Sequence, residues 1–199
     1  MSSFQPDKRY QPEKRARPEI GYPHKKIVYI LRGVPGTGKT TLAKNLETSY
    51  KDLGWHVYNI NRDEVREKLL KKDKFKKLFG KELTYQESFS NVTANTLIRD
   101  GYYKKLRKLV GRFEYTSWKK NLLIIDSTHT KIADLITTLS LFENFAPFGD
   151  LHVFIITKRT IHGNIHSVPE PVMKNFKREL KESDEWLKKE YPDKKVNLL

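Results

Sequence analysis

Short, dense apolar runs alternate along this chain with longer stretches in which apolar residues recur every three or four positions. The runs are 27–31, 55–60, 121–126 and 151–156, rich in Ile, Val, Leu and aromatic residues. Their length and β-branched content predict buried strands. The third is the clearest, with consecutive aliphatics from Leu122 to Ile125 closed by the carboxylate of Asp126. Between the runs, Thr41–Leu46 has helical character, and Ile132, Leu135, Ile136, Leu139 and Phe142 recur at helical spacing. Val172, Phe176, Leu180 and Leu187 fit the inner face of a final helix. Asn61 with Glu64 has the spacing of a helix cap, and Ser167 with Glu170 repeats it with a proline near the helix start. Strands alternating with helices predict βαβ units and an α/β fold built on a parallel sheet.

At 199 residues the length suits one domain. Residues 1–24 differ from the rest: Pro6, Pro12, Pro18 and Pro23 alternate with Lys8, Arg9, Lys14, Arg15 and Arg17. They predict a flexible basic tail ahead of a domain at 25–199. The absence of cysteine excludes a disulfide framework, a thiolate zinc site and a cysteine nucleophile. No apolar run approaches the roughly 20 residues of a membrane span, and the first residues lack the apolar core of a signal peptide. The expectation is an intracellular, cytoplasmic protein with no membrane partner. A formal charge of +15 favours polyanionic partners. Much of it falls in a mostly helical stretch, 68–120, inserted between the second and third strands. One cluster there is Lys71, Lys72, Lys74, Lys76 and Lys77, and a second is Arg99, Lys104, Lys105, Arg107, Lys108 and Arg112.

The turn after the first strand, Gly33-Val-Pro-Gly-Thr-Gly-Lys-Thr40, fits G-x-x-x-x-G-K-[ST] in full. Glycines let such a turn curl so that successive backbone N–H groups point at phosphate oxygens, and the following helix presents its positive end. Gly33, Pro35, Gly36, Thr37, Gly38, Lys39, Thr40 and Thr41 are therefore the expected nucleotide-binding residues. Lys39 reaches the β- and γ-phosphates in such loops, and a hydroxyl at the position of Thr40 ligates Mg²⁺. Asp126, at the end of the third strand, is the expected second magnesium ligand. ATP and Mg²⁺ are the cofactors this pattern implies. The fold expected is a P-loop NTPase-type parallel sheet flanked by helices, with the basic helical insertion between strands two and three.

A P-loop does not say where the phosphate goes. Asp63 and Arg66 follow the second strand three positions apart, on one helix face. Such a pair suits phosphoryl transfer, the carboxylate taking the acceptor's proton and the guanidinium steadying charge on the transferred group. It equally suits a surface ion pair. Three segments taken together, Arg32–Ala43, Asn61–Arg66 and Ile125–His129, resemble the phage polynucleotide kinase family, whose wider group includes the kinase module of tRNA ligases and the zeta toxins. The resemblance implies that Asp63 is the general base, that Arg66 contacts the reacting phosphate, and that a lid after the fourth strand carries an arginine. In the stretch 158–167 that arginine is Arg159. The family's Asp-x-Thr-Asn form is matched by Asp126, Thr128 and His129; in its Asp-Thr-Asn form Ser127 would stand at the acidic position.

The acceptor implied is a hydroxyl on nucleic acid, foremost a 5′ end of DNA or RNA. Two alternatives stay open: a phage-type kinase acting on the hydroxymethyl group of 5-hydroxymethyluracil within DNA, and a nucleic-acid-stimulated NTPase without kinase activity. Tyr102, Tyr103, Phe113, Tyr115 and Trp118 are interleaved with the second basic cluster, where they either stack on bases or pack the insertion's own core. His129, His162 and His166 fit no compact metal motif and read as solvated loop residues or as partners of phosphate or base.

Overall fold

The computed structural model describes residues 25–116, 120–143, 151–162, 168–190 and 196–198. The tail at 1–24, Trp118, His166 and the cap at Ser167 lie outside them. Among the described residues, five strands form one parallel sheet: β1 (Lys25–Arg32), β2 (His56–Asn61), β3 (Lys120–Asp126), β4 (Leu151–Thr157) and β5 (Val196–Leu198), in the order β2-β3-β1-β4-β5. The helices are α1 (Lys39–Asp52), α2 (Arg62–Leu70), α3 (Asp73–Phe79), α4 (Glu87–Ser90), α5 (Val92–Glu114), α6 (Ile132–Glu143) and α7 (Glu170–Glu190). The chain leaves β1 for the β2 edge, returns beside β1 as β3, then crosses to β4. The carboxyl ends of β1 and β3 are thus adjacent, with Leu31 opposite Asp126. Ligands of open parallel sheets bind at this kind of crevice.

The central strands β1 and β3 are buried on both faces, and the alternation of side chains divides the core in two. Leu31, Leu122, Ile124 and Ile156 point to the side of α1, where Ala43 is buried and Leu42, Leu46, Tyr50 and Trp55 pack around it. Val28, Ile30, Leu123, Ile125 and Ile155 point to the other side, against Tyr102, Leu106 and Phe113 of α5, Leu135 and Leu139 of α6, and Leu187 of α7. Tyr102 and Phe113 are fully buried and Tyr103 nearly so. These three aromatics are core residues, which corrects the base-stacking alternative for them; Tyr115, in contrast, is 81% exposed.

The insertion between β2 and β3 is helical, and it is built on local caps. The Asn61 side chain accepts hydrogen bonds from the N–H groups of Asp63 and Glu64, starting α2. Asn91 does the same for Ala94 at the start of α5. Thr84 and Glu87 form a reciprocal capping box, Thr84 Oγ1 accepting from Glu87 N and Glu87 Oε2 from Thr84 N. A small third core of Leu70, Phe75, Leu83, Ala94 and Ile98 joins α2, α3 and α5. At the far end of α5, the buried Lys26 donates to the carbonyl of Glu114 at 2.6 Å, placing a cation at a helix C-terminus.

One charged group sits deeper than the rest. Arg32, the last residue of β1, is fully buried. Its guanidinium donates to Asp184 Oδ1 at 2.7 Å, to the Ser183 hydroxyl and to the carbonyl of His129. Burial pushes it down to about 10, opposed by Asp184, so it stays charged at neutral pH. Removing one partner of such a pair leaves an uncompensated buried charge. The Asp184→Ala protein is expected to lose about 3–5 kcal/mol of stability in urea denaturation. The double variant Arg32→Met/Asp184→Leu is expected to recover most of that loss, because it removes both charges together.

Candidate active site

The turn between β1 and α1 is forced by close approach. Gly33 has φ 140°, and a Cβ there would lie 2.3 Å from the carbonyl oxygen of Lys158, beyond β4. Its N–H donates to the Thr128 carbonyl at 3.1 Å, and Lys158 N donates to the Arg32 carbonyl at 2.8 Å. The loop is thereby pinned to the chain following β3 and β4. Gly36 and Gly38 also take positive φ, 81° and 75°, which admits the curl of the loop at little steric cost. Gly38 caps α1 in a left-handed conformation, leaving the first N–H groups of that helix directed at the loop's interior. His162 lies over the loop, its N–H donating to the Gly36 carbonyl at 2.9 Å.

Side chains from three strand ends converge on this turn. Lys39 is 8% exposed, and its ammonium donates to the Val34 carbonyl at 2.9 Å. Burial lowers its pKa, while the charges of Asp126 and Asp63 pull it back up. Thr40 Oγ1 donates to Asp126 Oδ2 at 2.7 Å, and Asn61 Nδ2 donates to the same oxygen at 2.6 Å. Asp126 is buried, and that burial raises its pKa against the hydrogen bonds and the Lys39 charge. Hydroxyl, carboxylate and amide therefore meet beside the ammonium at the crevice between β1 and β3. Sequence spacing marks Asn61 only as a helix cap. In the structure its carbonyl oxygen caps α2 while its amide reaches Asp126, so one side chain fixes α2 relative to the loop.

Asp63 stands at the first turn of α2, close enough to Lys39 and Asp126 to act on both charges. It accepts a hydrogen bond from the Tyr85 hydroxyl, whose pKa is raised by burial and by the Asp63 charge. Tyr85 comes from the segment before α4, and its sequence context carries no sign of this role. Arg66, three residues on, is 2% exposed. Its guanidinium donates to Ser88 Oγ at 2.8 Å and Asn95 Oδ1 at 3.2 Å. It lies 3.9 Å from the ring centroid of Phe89 and 5.6 Å from that of Tyr85. The structure thus seats Arg66 behind Asp63, in the packing of α2 against α4 and α5. Burial pushes it down to about 10, so it remains a cation.

Arg159, in the chain after β4, donates to Asp184 Oδ2 at 2.8 Å with its side chain 51% exposed. Asp184 therefore holds two arginines, one buried and one half in solvent. Only 158–162 of the expected lid are among the described residues. Among the described residues no group of three His, Cys, Asp or Glu side chains gathers as a metal cluster.

His129 departs from its expected place in a solvated loop. It is fully buried, with Nε2 2.9 Å from Thr138 Oγ1 and a backbone φ of 40°. His and Asn are enriched at left-handed positions, which explains why a histidine can stand at this turn. Its role in the structure is to close the β3–α6 connection and to present its carbonyl to Arg32.

This sheet order, with a G-x-x-x-x-G-K-[ST] loop between β1 and α1, is an α/β P-loop NTPase-type fold. A family model for adenylylsulphate kinase matches residues 25–101, less than half of the chain and including the phosphate loop, Asp63 and Arg66. The sequence matches none of the curated proteins. Among solved structures, the APS kinase CysC of Mycobacterium tuberculosis is 14% identical, covering 83% of this chain and 99% of its own, with a TM-score of 0.42. A deoxyadenosine kinase from M. mycoides with bound dATP is 14% identical over 88% of this chain and 90% of its own, with a TM-score of 0.44. A structure of the PezAT toxin–antitoxin system of Streptococcus pneumoniae is 20% identical over 69% of this chain and 49% of that one, with a TM-score of 0.44. Likeness at this level bears on neither substrate nor mechanism. The family match supports a P-loop kinase, a phosphotransferase in class.

The burial of His129 has a consequence that titration reads directly. Burial pushes its imidazole down to about 3, against 6.5 for an ordinary histidine. Above pH 6.5 both folded and unfolded chains hold it neutral, and it contributes no pH dependence. As pH falls from 6.5 towards 3 the unfolded chain takes up the proton first, and folding stability falls. The ring nitrogens of His129, observed by ¹⁵N NMR, are expected to remain in the neutral form at pH 5.

Proposed function

We propose that this protein is an ATP-dependent kinase that moves the γ-phosphoryl group to a hydroxyl on nucleic acid, most directly the 5′-hydroxyl end of DNA or RNA, in the manner of a polynucleotide kinase. The observation that carries a kinase reading over simple NTP hydrolysis is Asp63. It is a carboxylate held by Tyr85 at the start of α2, within electrostatic reach of Lys39 and Asp126. That is where an acceptor hydroxyl has to be oriented for in-line attack.

The backbone N–H groups of the loop and the Lys39 ammonium bind the phosphates. Thr40 Oγ1 and Asp126 Oδ2 are hard oxygen donors 2.7 Å apart. They fit Mg²⁺, which needs only one or two protein ligands besides phosphate and water. When bound, Mg²⁺ supplies neutralising charge to the β- and γ-phosphate oxygens. The acceptor oxygen forms the new bond to phosphorus as the bond to the ADP oxygen breaks, and the hydroxyl proton passes to Asp63. Tyr85 keeps Asp63 pointed at the acceptor, and the Arg66 guanidinium lies over the Tyr85 ring. Arg159 is the cation able to turn from Asp184 towards the γ-phosphate. A nucleic-acid acceptor is supported by the basic surface of α5, which leads up to this site. The adenylylsulphate kinase match at 25–101 favours a second reading, in which the acceptor is a small nucleotide.

Label transfer from γ-labelled ATP with Mg²⁺ separates these. A 5′-hydroxyl oligonucleotide, a 5′-blocked duplex with internal 5-hydroxymethyluracil, and free adenine nucleotides are offered side by side. Label is expected on the 5′-hydroxyl oligonucleotide. Label on a free nucleotide alone, or ATP consumed with no labelled acceptor, would overturn the nucleic-acid reading. The Asp63→Asn protein is expected to transfer at least about 100-fold more slowly while binding ATP as before. Asp126→Asn is expected instead to weaken the Mg²⁺ dependence of ATP binding, read by calorimetry at varied Mg²⁺.

A further inference from the structure

The basic residues of this protein are of two kinds. Several on α1, α2, α3 and α7 have carboxylate partners: Lys51 with Glu47, Lys68 with Glu64, Lys76 with Glu82, Lys174 with Glu170, Arg178 with Glu182. Such exposed pairs are solvated surface and bring no net charge to it. The second half of α5 is different. Lys104, Lys105, Arg107, Lys108 and Arg112 are all exposed, and no Asp or Glu occurs from 101 to 113. None of the five has an ion pair among the described residues. The second half of α5 therefore presents five exposed cations that no carboxylate of the described residues neutralises.

That helix runs beside the open edge of the sheet. Lys105, Lys108, Arg112 and Tyr115 fall at i, i+3, i+7 and i+10, which is one helix face. Two recesses lie between this face and β2. The first, about 210 Å³, is lined by Lys105 and Leu109 of α5, Glu64 and Lys68 of α2, and Asn59 and Asn61 of β2. The second, wider and shallower, is lined by Lys108, Arg112 and Tyr115 with Tyr58 of β2. Neighbouring residues of the same two elements line both, so together they make one groove. It starts at Asn61, which is hydrogen-bonded to Asp126 in the active site, and ends at Tyr115, the C-cap of α5, about 15 Å beyond Lys105 by helix rise.

We infer that this groove between α5 and β2 is the track that holds a single-stranded nucleic acid and leads its end to the phosphate loop. The inference rests on the nucleic-acid acceptor proposed above, and it adds the surface and the strandedness. One row of cations matches one phosphate backbone. An aromatic ring 81% exposed at the end of that row offers a face to an unpaired base, which a duplex does not present. The carboxylate of Glu64 at the inner recess is paired with Lys68 at 3.2 Å, so it does not oppose the strand's charge.

The test is binding of a fluorescent single-stranded oligonucleotide with a blocked 5′ end, so that no phosphoryl transfer is needed for a signal. Binding is read by anisotropy across a salt series, with a duplex of the same sequence beside it. The wild-type chain is expected to prefer the single strand. The variant Lys105→Ala/Lys108→Ala/Arg112→Ala is expected to bind at least 10-fold more weakly. The slope of log affinity against log salt is expected to flatten by about 2, at roughly 0.7 for each phosphate that the variant no longer neutralises. Tyr115→Ala is expected to lose about fivefold or more, with Tyr115→Trp restoring it. ATP binding and thermal melting are expected to be unchanged in all of them, since these side chains are exposed. Wild-type affinity retained by the triple variant would overturn the groove. So would a preference for duplex, or capture of an acidic peptide at the β2 edge without oligonucleotide binding. If the groove binds the single strand while label transfer goes only to a free nucleotide, the track stands and the acceptor reading falls. If label reaches the oligonucleotide while the triple variant binds it normally, the acceptor reading stands and the track falls.

Discussion

The buried guanidinium of Arg32 is the interaction on which the geometry of the phosphate site depends. A charge taken fully out of water must be met by hydrogen bonds in fixed directions. Arg32 finds them on the β3–α6 turn, through the His129 carbonyl, and on α7, through Ser183 and Asp184. Both elements are thereby held against the last residue of β1, one position before the loop begins. Asp184 then uses its second oxygen to hold Arg159 in the chain after β4. Gly33 completes the constraint: with the Lys158 carbonyl where its Cβ would be, the backbone can pass only without a side chain. The loop is rigid because its neighbours are fixed to the same arginine.

Periodicity reveals the architecture well because the centre of the sheet is covered on both faces. Strands such as Leu122–Ile125 are then continuous apolar runs, and they stand out from amphipathic helices. Asn61 is legible as a cap because its polar side chain precedes a helical pattern, and it caps α2 as expected. The capping box of Thr84 and Glu87 is equally present in the sequence, but it lies in a polar insertion with little apolar rhythm to frame it. The aromatics of α5 show the limit of such reasoning. Tyr102, Tyr103 and Phe113 sit among lysines and arginines in sequence, yet helical geometry turns them inward and the charges outward.

At the site, the residues fixed by a local motif are the readable ones. Thr40 and Asp126 meet because the loop and the adjacent strand end leave them no other place. The supporting residues are not readable, because each reaches the site from a distant segment. Tyr85 is 22 positions from Asp63, and Asp184 is more than 150 positions from Arg32. Arg66 shows a subtler case. Spacing puts it on one helix face with Asp63, but the aromatic rings of Tyr85 and Phe89 and the acceptors Ser88 and Asn95 draw it inward. Its guanidinium is thereby held in the packing of α2 against α4 and α5. His129 likewise looks polar in sequence and belongs to the core, for its carbonyl and its left-handed backbone matter more than its ring.

The separation of neutralised from unneutralised charge links the fold to the proposed chemistry. A net charge of +15 spread evenly would be a weak statement about partners. The fold gathers five of these cations on one helix face beside the sheet edge. Ion pairs cancel part of the charge on α7, while the outward face of α5 carries an unbroken set of cations without a carboxylate among them. That helix buries its opposite face in the core beside β1 and β3, so its position relative to the phosphate loop is as fixed as the sheet itself. Asn61 ties the two together, since it borders the inner recess of the groove while its amide holds Asp126. In the proposed reading, a polyanion lying along α5 is guided by these fixed elements towards Asp126 and the charges of Asp63 and Lys39 that act on one another.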